Sequence, residues 1–395
     1  MVRIATFHLL RLRGIMKKKL TLCILLLAAV LAVRGQKLTL VEARSRIPKH
    51  EIPAFWLGES RGLTERWSGL VSGRVTTIAL SPGGRPLHLI SYGEIEALPQ
   101  DANFNSAVGA LDLSAYRNKA ARQKPVLFLL GPVHGHEVEG LTGLGNFIQI
   151  METGRDLRGK AQPRLLALGR RCRLLIVPSG NPDGLARFEP RMLHEMGLQD
   201  LEFWGQGTWN DDTLCGWPGV KRVHPMAGKR VGFLGCYFND AGVNPMHEEF
   251  FAPMASEAGA ILRVVRDEAP DWAVSLHSHE FAPEVLRTAY VPIGIQEQIS
   301  LLAERYANRL AGLGLPHHAP FKAKPDEGNP PPPFNLASAL YHVSGAIALT
   351  FECPHGLREE NACRVTPEQI LDIQLALYES MMEQVLESKS QPETK

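Results

Sequence analysis

Four short, largely apolar runs constrain this chain most: residues 125–130, 173–177, 271–276 and 346–351. A strand with one wet face alternates apolar and polar residues. Runs that are apolar at successive positions need cover on both faces, as in the parallel strands of α/β proteins. Segments with helical spacing lie between and after these runs, at 141–151, 253–267, 295–313 and 362–386. The alternation predicts one α/β domain built on a largely parallel sheet covered on both faces. A hairpin precedes it, 75–80 and 87–92, joined by a turn at 81–85 that contains Pro82, Gly83 and Gly84. The stretch 193–240 is rich in Gly, Trp and Asp with little periodicity and reads as a long loop excursion, and 322–334 as a proline-rich loop.

The ends of the apolar runs carry the chemistry. After the first come His134, His136, Glu137 and Glu139; after the second, the turn Asn181-Pro182-Asp183-Gly184; after the third, His277 and His279; after the fourth, Glu352. Parallel strands bring such ends to one rim, where open α/β sheets bind ligands. A catalytic zinc takes three N or O ligands and keeps a position open for water. His134, Glu137 and His277 would supply those ligands, with His279 the rival for the third position. Glu352 is then free to act as general base. His136 reads as a cleft-lining residue, and Arg85 as a turn-stabilising or surface one.

The blocks His134-Gly135-His136-Glu137, Asn181-Pro182-Asp183-Gly184, Ser275-Leu276-His277-Ser278 and Thr350-Phe351-Glu352 resemble, in this order, the signature blocks of zinc carboxypeptidases of the carboxypeptidase A type. The lead-in from Gly83 to Leu87 resembles the hairpin that opens that domain, and the resemblance runs over roughly 75–387. It implies a single α/β domain with a mixed, mostly parallel eight-stranded sheet sandwiched between helices. One zinc per chain would be held at His134, Glu137 and His277, with Glu352 acting on the attacking water. It further implies an arginine after the Asn-Pro-Asp-Gly turn that polarises the scissile carbonyl. Arg191 fits by distance, with Arg187 as its rival.

The resemblance departs at 242–247, Gly-Val-Asn-Pro-Met-His, where the family carries Gly-Val-Asp-Leu-Asn-Arg and holds the substrate's terminal carboxylate. Read without gaps, Met246 replaces the asparagine and His247 the arginine. An imidazole does not reproduce a bidentate guanidinium. A gapped reading keeps Asn244 as a substrate contact. Expected substrate-binding residues are therefore Asn244, His247 and His279. The reaction expected is hydrolysis of an amide bond in a peptide or peptidoglycan-like substrate. The alternatives are an amidohydrolase on small N-acyl amino acids, resembling succinylglutamate desuccinylase and aspartoacylase, and a non-catalytic binding domain on the same fold.

The remaining features concern address and partners. Lys17-Lys18-Lys19 precedes an apolar run of about 14 residues, 20–33, which predicts a signal peptide within 1–36, with Met16 a candidate start. Such a run is short for a spanning helix, which needs about 20 residues. A secreted or periplasmic protein follows, with no stable membrane span after cleavage. Residues 37–73 then form an N-terminal segment packed as short helices, 74–387 the catalytic domain and 388–395 a polar tail. A net charge of +2 with interspersed signs gives no basic stripe for nucleic acid. Beyond Cys23 in the leader, the odd number of cysteines, Cys172, Cys215, Cys236, Cys353 and Cys363, permits one or two disulfides without demanding any.

Overall fold

The computed structural model describes residues 35–49 and 51–390. The apolar run at 20–33 lies outside the described residues. Among these, no helix is long and apolar enough to cross a membrane.

The strands are β1 (Arg74–Leu80), β2 (Pro86–Tyr92), β3 (Val126–Leu130), β4 (Arg173–Val177), β5 (Gly207–Trp209), β6 (Val231–Leu234), β7 (Trp272–His279), β8 (Glu284–Leu286) and β9 (Ile347–Pro354). The main helices are α1 (Val138–Thr153), α2 (Pro163–Arg170), α3 (Pro182–Arg187), α4 (Ser256–Glu268), α5 (Ile293–Gly312), α6 (Leu336–Ser344) and α7 (Pro367–Ser390). The main sheet runs β1-β2-β4-β3-β7-β9-β8. Its four central strands, β4, β3, β7 and β9, are mutually parallel, and the edges join antiparallel.

That sheet has seven strands among the described residues, where eight were expected. The stretch 193–240 is also more regular than a loop: β5 and β6 pair there into a separate two-stranded sheet. The strands are only three and four residues long, too brief to show a period.

Burial in the central strands alternates by side but not by polarity. Leu127, Leu129, Leu174 and Ile176 enter one core with Leu141, Phe147, Leu371 and Tyr378 of α1 and α7. Val126, Phe128, Leu130, Leu175 and Val177 enter the other with Ile261 and Val265 of α4 and Leu340 of α6. Both faces are dry, so every position must be apolar. Truncating Phe128 or Phe147 to alanine would cost roughly 3–5 kcal/mol.

The segment before β1 packs on α1, in short helices as expected. Leu57 N donates to Thr142 Oγ1 at 3.0 Å, and Asn146 Nδ2 to Phe55 O at 3.0 Å. Trp56 and Trp67 are buried in the α1-side core. The five cysteines among the described residues are free thiols, four of them buried.

β7 and β9 run further than their apolar stretches. His277 pairs in register with Glu352, and His279 with Pro354. The extension holds because β8 hydrogen-bonds to the far edge of β9, with Glu284 opposite Glu352. His277 and Glu352 thus sit within a ladder rather than on loops beyond it.

Candidate metal centre and cleft

His134 lies in the turn between β3 and α1. Gly135 N donates to Cys236 O at 2.7 Å, and a Cβ on Gly135 would fall 2.1 Å from Gly184 C and Leu185 N. Only glycine lets this loop lie on the Asn-Pro-Asp-Gly turn. Asn181, fully buried, secures the same contact: its Nδ2 donates to Val133 O at 3.1 Å and its Oδ1 accepts from Gly184 N at 2.9 Å. Asp183 binds the hairpin turn, accepting from Ser81 Oγ at 2.5 Å and from Arg85 at 2.8 Å. Arg85 also pairs with Asp240 at 2.8 Å, the turn-stabilising role expected of it.

Glu137 stands at the N-cap of α1 without capping it. Its carboxylate turns instead to the histidines, with Oε1 2.8 Å from His134 Nδ1 and Oε2 2.9 Å from His277 Nδ1. The two Nδ1 atoms are 3.3 Å apart. His134, Glu137 and His277 are all buried, and they form a cluster whose ligand atoms lie within 4.8 Å of one another.

This donor set fits zinc. His134 Nε2 faces Asn244 Oδ1 at 3.2 Å, an acceptor, which places that ring's proton on Nε2 and leaves the Nδ1 lone pair facing the cluster. His277 Nε2 meets Ser275 Oγ at 3.0 Å. Two nitrogens each about 2.0–2.1 Å from one tetrahedral ion stand about 3.3–3.4 Å apart. Outer partners that fix each tautomer are what metal-binding histidines require. Two imidazole lone pairs and a carboxylate at these distances repel one another unless a cation or proton stands among them.

Electrostatics agree. Burial pushes Glu137 up, but His134 and His277 outweigh it and hold the carboxylate ionised. Burial lowers His134, with Glu137 opposing. At His277 burial also pulls down, and Glu137 reverses it. Glu352 is pushed up to about 8 by burial, against the pull of His277 and with the help of Glu137, Glu280 and Glu284.

The other expected site residues are placed as follows. His279 Nε2 bonds Ala282 O at 3.0 Å, burial lowers it to about 4, and it is absent from the metal cluster. Asn244 orients His134 and also accepts from Met246 N at 3.0 Å. His247 Nε2 lies 3.2 Å from Lys221 Nζ, and burial lowers it to about 2. Arg191, with a left-handed backbone at φ 67°, pairs with Glu59 at 3.0 Å. Arg187 donates to Gly235 O and Phe238 O and pairs with Asp240 at 2.6 Å. Neither arginine is among the principal charges acting on the ligands or Glu352.

Sequence reasoning missed several cleft residues. Tyr237 lays its ring on His134, centroids 3.9 Å apart. Lys221 contributes the cationic field on both ligand histidines. Glu202, buried beside Glu280, is raised to about 7 by that burial. All but Glu280 come from 193–240, where no periodicity marks them. His136 and Glu139 also lie beside the triad rather than in it: Glu139 pairs with buried His355 at 3.0 Å, and burial lowers His136 to about 3.

Residues 63–221 match the family model described as zinc carboxypeptidase, a span that holds His134 and Glu137 but stops short of His277 and Glu352. No curated protein matches the chain in sequence. Among solved structures, a metallo-carboxypeptidase from Burkholderia cenocepacia superposes with a TM-score of 0.50 at 14% identity, over 82% of this chain and 67% of that one. Thrombin activatable fibrinolysis inhibitor superposes with a TM-score of 0.50 at 12% identity, over 88% of this chain and 82% of that one. At such identity the likeness speaks for the fold. The family uses one zinc, and His134, Glu137 and His277 could hold it. The sequence over 63–221 matches the zinc carboxypeptidase model, and the fold of the described residues is similar to that of metallo-carboxypeptidases.

Proposed function

We propose that the chain is a zinc-dependent hydrolase that cleaves an amide bond in a peptide or peptidoglycan-like substrate. The observation that carries this reading is the buried His134–Glu137–His277 cluster with Glu352 as the register partner of His277. Zinc, when bound, supplies Lewis acidity to a substrate carbonyl and to water. Glu352 takes the proton of the attacking water on its carboxylate and passes it to the departing amine nitrogen, so that one water is consumed per amide cleaved. The cation at the centre favours the ionised carboxylate, lowering Glu352 from the value near 8 that burial gives it. Asn244 and Ser275 hold the ligand rings, and Tyr237 covers His134.

The export pattern at 17–33 supports action outside the cytoplasm, with 74–387 as the catalytic unit. The test is metal analysis of purified protein, followed by a peptide panel with and without chelator. One zinc per chain and chelator-sensitive cleavage are expected. Absence of stoichiometric zinc would overturn the reading, and cleavage confined to N-acyl amino acids would replace it with the amidohydrolase alternative.

A further inference from the structure

Lys221 lies in the one-turn helix Gly219–Arg222, inside the excursion that carries β5 and β6. Its ammonium donates to His247 Nε2 at 3.2 Å and stands 5.1 Å from the centre of the Trp217 ring. Among the described residues no carboxylate lies within 4.0 Å of it; its field nevertheless reaches Glu352 and Glu137. Arg191 and Arg187 each have a carboxylate of their own, Glu59 and Asp240. Lys221 therefore differs from both: a cation whose field reaches the site, fastened to a neutral imidazole, with two N–H groups to spare and no anion against it among the described residues.

We propose that Lys221, held in place by His247, binds the terminal carboxylate of the substrate. The assignment rests on the amide-hydrolase reading above. Its close contacts go to His247 and Trp217 and not to the ligands or Glu352, while His247 N donates to Asn244 O at 3.1 Å and Asn244 Oδ1 faces the ligand His134, so the ammonium is tied to the site without touching the reacting centre. Glu352 itself has acidic neighbours: Glu284 is its register partner on β8, and Glu280 also acts on it. A substrate anion is repelled by these carboxylates and drawn towards Lys221. A lysine offers a point charge where a guanidinium would offer a planar fork. His247 is a positioning residue: it directs the ammonium without touching substrate.

The test uses two equimolar libraries of N-acetyl tripeptides, identical except that one ends in free carboxylates and the other in carboxamides. Zinc-loaded Glu352→Gln protein is mixed with each library, and retained peptides are counted by mass spectrometry. The free acids are expected to be retained ~10- to 100-fold better, the range of a charge-assisted hydrogen bond. Lys221→Met should bring that ratio close to one, with zinc content and melting temperature unchanged. Lys221→Arg should keep most of the ratio, and His247→Leu should lower it. Equal retention of both libraries, or of neither, overturns the assignment. The wild-type protein separates this from the hydrolase reading. Chelator-sensitive cleavage of both libraries at equal rates sinks Lys221 and leaves the hydrolase. Selective retention of free acids without any cleavage sinks the hydrolase and leaves Lys221.

Discussion

His277 and Glu352 face each other across two parallel strands that are hydrogen-bonded on both sides, whereas Lys221 and His247 are presented by a one-turn helix and a turn. The floor of the cleft is thereby fixed to the sheet, and its side chains inherit the rigidity of the core. The wall is held by side-chain contacts: Arg187 to Gly235 O and Phe238 O, Asp183 to Asp240 N, and the Lys221–His247 bond. A site that needs ligand atoms placed to a fraction of an ångström belongs on the first kind of element, and substrate choice can be varied on the second.

That contrast can be broken most decisively at the floor. His277→Ala should reduce zinc to well under one-tenth per chain and abolish cleavage, whereas His279→Ala should keep its zinc, because its ring is committed to Ala282 O. Metal content by mass spectrometry on both variants reads this directly, and the reverse pattern would make His279 the third ligand. Glu352→Gln should keep zinc and lose ~10²- to 10⁴-fold in kcat, the usual range for a general base. In the wild type, kcat/KM should fall as pH drops through the Glu352 value, because the base must be ionised, and with zinc bound that limb lies below 8. An acid limb that survives Glu352→Gln unchanged would show that another group titrates there.

Smaller effects sharpen the same division. Asn244→Ala removes the acceptor that sets the His134 tautomer and should weaken zinc binding ~10- to 100-fold with little change in fold. Competition against a chromogenic chelator measures it, and unchanged affinity would reduce Asn244 to a packing residue. Without metal, Glu352 has a folded value near 8 against about 4.5 in the unfolded chain, so the fold favours its protonated form. Stability from that preference is present below pH 4.5 and is lost as pH rises through 8. Glu352→Gln should therefore melt a few degrees above wild type at pH 8 in chelator, with the gap closing towards pH 5. A gap independent of pH would point to packing instead of charge.

The legible part of the molecule was the part where one physical demand governs every position. Leu127, Phe128 and Leu129 alternate between two dry cores, so apolarity at every position marked a central parallel strand, and polar residues just past such runs marked the rim. His134, Glu137, His277 and Glu352 became candidates that way, and the fold brings the first three together. The extension of β7 and β9 through His277 and Glu352 was not visible, because it depends on β8, a three-residue strand with no period of its own. Nor was the engagement of Arg187 and Arg191 with Asp240 and Glu59: a guanidinium's partner is chosen by which carboxylate the fold brings near, and spacing along the chain does not encode it.

By itself, then, the sequence determined the parallel sheet and the two-sided core and pointed to His134, Glu137 and His277 as a candidate ligand set, since each follows from local pattern and from a strand-end rule. Tertiary structure alone decided which nitrogen of each histidine faces the centre, through Asn244 and Ser275, and which cation serves the cleft. Lys221 and His247 lie 26 residues apart and meet only because β5 and β6 pair and the intervening chain closes on itself. Apolar burial is a property of each residue type and can be read from order. Hydrogen-bond and charge partnerships are properties of pairs, and the pairs exist only once the chain has folded.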